Sequence, residues 1–246
     1  MISPAWRHHN SVLQQQAASS LRLAVAARER EVIDQTAIDQ AQFELLVTAL
    51  STDCKRLSEV PKGSARIPVK KTLIETYLQV VEKYVAAGAA YRNPVLTQVM
   101  VWCFDVGDID TAMRLSRVAI AQQQPMPERF KRDIRTGVAD LLLDWIGQVR
   151  AGSEAAPIEP YFSEIYNQIF PAEGIGWQIH DEIKLKYVKI AIGEAERRND
   201  PRQALRLCIL ADQIDVKAAQ VKTKREKLIK QVAALDEEAR RAGTKQ

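Results

Sequence analysis

Three features of this 246-residue chain predict an all-α fold. Gly and Pro number only ten each, so turns are sparse. Ala, Leu, Gln, Glu, Lys and Arg dominate, and these side chains lose little rotamer freedom in a helix. Apolar residues recur at helical spacing, and no run of β-branched residues alternates with polar ones as a half-buried strand requires. The architecture expected is a long antiparallel helical hairpin followed by tetratricopeptide-like helical hairpins.

The chain opens with Ser3-Pro4, a cap residue followed by proline at the first helical position. Residues 1–20 are rich in Gln and Ser and read as a mobile N-terminal arm. From Leu21 to Val60 no Gly or Pro intervenes, and Ile38, Phe43, Leu45, Leu46, Leu50 and Leu57 give apolar contacts at helical spacing. Pro61-Lys62-Gly63-Ser64 stops this run. A second helix restarts near Pro68 with Leu73, Ile74, Tyr77, Val80, Val81 and Tyr84 on one face, so a hairpin is expected.

Asn93-Pro94 starts a helix that Gly107 should end in a left-handed cap, and Asp108 should cap the next one. Further helices are expected over Glu128 to Arg150, Tyr161 to Phe170, Gly176 to Arg198, Pro201 to Ile214 and Val216 to Arg241. Gly152 to Pro160 is the clearest linker. It divides residues 21–152, the long hairpin and a first helical-repeat unit, from residues 161–241, a second repeat unit with a basic terminal helix. The repeat is visible in Asp108-Ile-Asp-Thr-Ala-Met-Arg-Leu and Asp200-Pro-Arg-Gln-Ala-Leu-Arg-Leu, which share Asp, Ala, Arg and Leu at matching positions.

Charge is the main functional signal. The net charge is only +4, yet Lys55, Arg56, Lys62, Arg66, Lys70 and Lys71 form one basic cluster, and Lys222, Lys224, Arg225, Lys227 and Lys230 form another. Such clusters neutralise phosphates and give affinity without base specificity, although a solvated helix face has the same composition. The terminal helix also carries Val221, Leu228, Val232 and Leu235 near heptad spacing, an equal case for a self-association seam.

Catalytic signals are thin. Asp105, Asp108 and Asp110 stand close together, but a two-metal nuclease gathers carboxylates onto ions roughly 3.5 to 4 Å apart. Asp108 repeats the helix-start role of Asp200, so helix punctuation is the expectation for the three, with no metal ligand, catalytic residue or cofactor assigned. His8 and His9 lie in the arm, and His180 reads as a helix start. Cys54, Cys103 and Cys208 show no C-x-x-C pairing and read as buried apolar residues of a reducing compartment. No apolar run reaches membrane-spanning length, and no signal-peptide core is evident.

Several stretches together resemble the terminase small subunits of peduovirus-type tailed bacteriophages. They are SPAWRH (Ser3 to His8), VMVWCFDVGDIDTAMRLSRVAI (Val99 to Ile120), Met126-Pro127 and the segment from Asp200 to Ala211. The resemblance implies a component of the genome-packaging machine in the cytoplasm of the bacterial host. It implies double-stranded viral DNA and the terminase large subunit as partners, and a homo-oligomeric ring. It also implies an endonuclease subunit role at the cohesive-end site, so two functions are expected: DNA recognition that recruits or stimulates the large subunit, or metal-dependent cutting by this chain itself through Asp105, Asp108 and their neighbours.

Overall fold

The computed structural model describes residues 40–153 and 156–243. The expected N-terminal arm and the first part of the helix expected from Leu21 lie outside them. The described residues form nine helices and no strand, as the composition predicted. They are α1, described over 40–59, α2 (Arg66–Ala86), α3 (Pro94–Val106), α4 (Ile109–Ala121), α5 (Ile134–Arg150), α6 (Tyr161–Ile169), α7 (Asp181–Arg197), α8 (Pro201–Ala219) and α9 (Lys222–Gly243). The chain divides into two compact units, one ending at Lys62 and the other beginning at Gly63. In the first, α1 buries Leu50 and Leu57.

In the second unit, α3 is apolar but for Thr97, Gln98 and the terminal Asp105, and each residue from Val95 to Phe104 is buried. A helix of that composition has to be surrounded. It packs against α2, α4 and α5, with the Tyr77 and Trp102 rings meeting at a centroid distance of 6.2 Å. Both of its ends are closed by side chains or backbone. Asn93 Oδ1 accepts from Val95 N at 3.0 Å and Leu96 N at 3.2 Å, with Pro94 at the first helical position.

At the other end, Asp108 N donates to Cys103 O at 2.9 Å and Gly107 N to Phe104 O at 3.2 Å, while Gly107 adopts φ +81°. This is the Schellman arrangement. Asp108 then caps α4, its Oδ1 accepting from Thr111 N at 3.3 Å. The α7–α8 turn repeats every part: Asp200 N to Ala195 O at 2.9 Å, Asn199 N to Glu196 O at 3.0 Å, Asn199 at φ +54°, and Gln203 N to Asp200 Oδ1 at 2.9 Å. The sequence repeat headed by Asp108 and Asp200 is therefore one turn built twice. It folds α3 against α4 and α7 against α8.

Helix α5 joins these pairs, touching α3, α4, α6 and α7. Tyr187 of α7 donates to Ala139 O of α5 at 2.9 Å, and Arg150 of α5 pairs with Glu194 of α7. Arg117 of α4 grips Glu164 of α6 through two bonds of 2.7 and 2.6 Å. Helix α9 lies along α8.

Three helix starts differ from the sequence expectation. Helix α5 begins at Ile134 rather than Glu128, because the Asp133 carboxylate accepts from Arg135 N and Thr136 N and fixes the start there. Helix α7 begins at Asp181 rather than Gly176, because Trp177 N is drawn back to Gln168 O at 2.8 Å and cannot enter a helix. Asp215 breaks α8 where a boundary was expected (φ −160°, ψ 105°), but α9 starts only at Lys222, after Gln220 turns to φ +53°. No described helix is long and apolar enough to cross a membrane.

The two matched turns should respond differently to substitution. Gly107→Ala places a side chain at positive φ and should lower unfolding stability by about 1 to 2 kcal/mol. Asn199→Gly should leave stability unchanged or slightly raised. Urea denaturation of both variants checks this, and equal effects would contradict the shared geometry.

Candidate nucleic-acid interface

The clustered aspartates of the central motif go to separate partners. Asp105, in the last turn of α3, accepts from Lys70 Nζ at 2.6 Å and has Arg129 at 3.9 Å. Asp108 is the α4 cap. Asp110 sits in the first turn of α4 and accepts from the Tyr161 hydroxyl. Each carboxylate thus ties one element to another or closes a helix end, as punctuation does. Among the described residues, no three His, Cys, Asp or Glu side chains gather as a metal group.

Neighbouring residues of the motif are packing positions. Met100, Trp102 and Cys103 are fully buried. Burial, with Asp108 nearby and against the pull of Arg114, pushes the Cys103 thiol up to about 12. Cys208 is also buried, and burial raises its thiol as well, so both stay protonated at neutral pH and act as small apolar side chains. His180 stands at the start of α7, where its carbonyl accepts from Ile183 N and Lys184 N, while Asp181 pairs with Lys184.

The basic residues divide into committed and uncommitted ones. In the first unit, Lys55 and Lys62 are exposed and Arg56 pairs with Asp53 at 3.5 Å. In the second, Arg66 is half-buried and Lys71 exposed at the start of α2, whereas Lys70 is only 14% exposed and held by Asp105. On α9, Lys224 pairs with Glu196 at 2.8 Å, and Arg225 pairs with Asp212. Lys222, Lys227 and Lys230 are exposed and meet no carboxylate among the described residues. Lys70, Lys224 and Arg225 therefore brace the fold, while the other α9 lysines face solvent.

One basic segment was missed by sequence reasoning because it was placed inside a helix. Residues 128–133 form an irregular connection that carries Arg129, Phe130, Lys131 and Arg132. Arg129 stacks over the Phe130 ring at 4.9 Å, and Arg132 pairs with Asp140. Lys131 is exposed with no carboxylate partner among the described residues. Behind them stands Asp144, whose carboxyl is raised by partial burial and by Asp140 and Asp105, against Lys186 and Arg132. The local signal was the run ERFKR after two prolines.

The fold defines an all-helical scaffold braced by ion pairs, with exposed lysines on its last described helix. The chain belongs to the phage small terminase subunit family, whose model matches residues 47–181. It is similar to the probable terminase, endonuclease subunit of Haemophilus phage HP1, with 27% identity over 150 residues, 61% of this chain and 51% of that protein. It is also similar to the terminase, endonuclease subunit of Escherichia phage P2, with 26% identity over 132 residues, 54% of this chain and 49% of that protein. These matches span about half the length of either relative. No solved structure matches.

The division of labour among the aspartates is open to a stability test. Asp105→Ala strands the largely buried Lys70 and should cost on the order of 2 kcal/mol. Asp108→Ala should cost about 1 kcal/mol as a lost cap. Asp110→Ala removes an exposed carboxylate and should stay within about 0.5 kcal/mol. Chemical denaturation of the three variants should give that order.

Proposed function

We propose that this chain is the DNA-recognition subunit of a phage packaging terminase. It binds double-stranded viral DNA at the packaging site as a homo-oligomer and recruits or stimulates the large ATPase and nuclease subunit. The observation that carries this reading is the state of the α9 cations, three of which are exposed and meet no carboxylate among the described residues. An unpaired surface lysine keeps its charge available to a phosphate, and each contact formed releases condensed counterions. Lys55, Lys62 and Lys71 are further candidate contacts in the same role, and the half-buried Arg66 lies beside them in sequence as another candidate. Lys70, Lys224, Arg225 and Arg56 contribute positive field, while their head groups are held by carboxylates.

The second reading, that the chain itself cuts DNA, is favoured by the names of the two relatives, one a probable terminase endonuclease subunit and the other a terminase endonuclease subunit. It requires carboxylates to be released from the roles described above. Asp105 would leave Lys70, and Asp108 would leave the α4 terminus, before either could serve an ion.

Binding to a labelled duplex carrying the packaging site should weaken steadily with salt. Replacing Lys222, Lys227 and Lys230 with Gln should flatten the log–log slope by as much as about 2.7, near 0.9 per lost phosphate contact. An unchanged slope removes α9 from the interface. Purified protein with magnesium or manganese should leave this DNA intact until the large subunit is added; nicking by the protein alone, lost in Asp108→Asn, would favour the second reading.

A further inference from the structure

Two exposed apolar features of the second unit remain, one of which shares Val232 with the seam suggested by the heptad spacing of the terminal helix. One is a knob. Ile175 stands 89% exposed at the tip of the connection between α6 and α7. Its presentation is fixed by the backbone on both sides. Gly174 takes φ +83°, and Gly176 sits so close to α6 that a Cβ there would fall 2.0 Å from Ile169 O. The bond from Trp177 N to Gln168 O pins the return strand of the loop. An apolar side chain held rigidly in water loses little freedom when it docks.

The other is a patch on the flank shared by α8 and α9. Asp212 pairs with Arg225 and Arg202 pairs with Asp236, which sets the antiparallel register of the two helices. Stepping inward from these ion pairs by three or four residues brings Ile209 opposite Ile229 and Leu205 opposite Val232. Ile209 is 44% and Ile229 50% exposed, with Leu205 and Val232 half-buried beneath them. The rim carries Lys222, Lys230 and Arg206 against Glu226, whereas the knob has Glu173 two residues away. Apolar knob and apolar patch are thus flanked by opposite charge.

We propose that Ile175 of one copy seats on the Ile209–Ile229 patch of a second copy, giving a head-to-tail interface. The inference rests on the homo-oligomeric part of the reading above and names the surfaces that make it. Made once between each pair of copies, the contact is heterologous, and repeating it closes a ring or extends a filament; made reciprocally about a two-fold axis, it would give a closed dimer, and the mass of the wild-type assembly separates the two.

Light scattering of the full chain tests this. Ile175→Asp and Ile229→Asp should each yield monomers, weakening assembly roughly ten- to a hundredfold per contact. Circular dichroism should be unchanged, and Ile175→Leu should assemble normally. An equimolar mixture of the two Asp variants should form a dimer and stop, since one retains an intact patch and the other an intact knob. A wild-type chain that stays monomeric overturns the homo-oligomer reading and this interface with it. Wild-type assembly that persists in Ile175→Asp, or a mixture that stays monomeric, overturns the interface alone.

Discussion

Burial of α3 from Val95 to Phe104 is the constraint on which the second unit depends. A helix with no polar face cannot leave its terminal N–H and C=O groups to water, so both ends must be closed from within the protein. Asn93 closes the first and the Gly107-Asp108 turn the second. The same turn starts α4 and directs it back along α3. Asp105 stands at the boundary between this apolar helix and solvent, where Lys70 meets it and holds α2 to α3. The acidic residues of the central motif follow from these demands: one pins a neighbouring helix, one caps, and one receives a tyrosine hydroxyl.

Local rules made much of this legible in the sequence. Asn-Pro, Gly-Asp and Asp-Pro announce the starts of α3, α4 and α8 because capping is settled by a few adjacent residues. The starts of α5 and α7 were not legible in the same way. Trp177 N is committed to Gln168 O, and Phe130, four residues before Ile134, carries the helical apolar spacing past the capping site Asp133. The basic clusters were equally visible as composition, but their partners were not. Lys70 meets Asp105 thirty-five residues away and Arg225 meets Asp212 on a different helix. Only tertiary packing separates a bracing cation from an available one.

That separation bears on how such a subunit would hold DNA. On the proposed reading, three uncommitted lysines on α9 would give weak, sequence-independent attachment per copy. In an assembly of identical copies, contacts made along one duplex act at high effective concentration, so modest sites combine into firm binding without a dedicated recognition helix. The proposed assembly patch on α8 and α9 shares Lys222 and Lys230 with the proposed phosphate surface, so assembly and DNA contact would be coupled along α9.

The account turns on whether the carboxylates around Gly107 serve the fold or an ion. The most direct measurement is the anomalous difference map of a crystal soaked in manganese. With Asp105 on Lys70 and Asp108 on the first turn of α4, the map should be flat between them and both contacts intact. A peak coordinated by two or more of Asp105, Asp108 and Asp110 would contradict it.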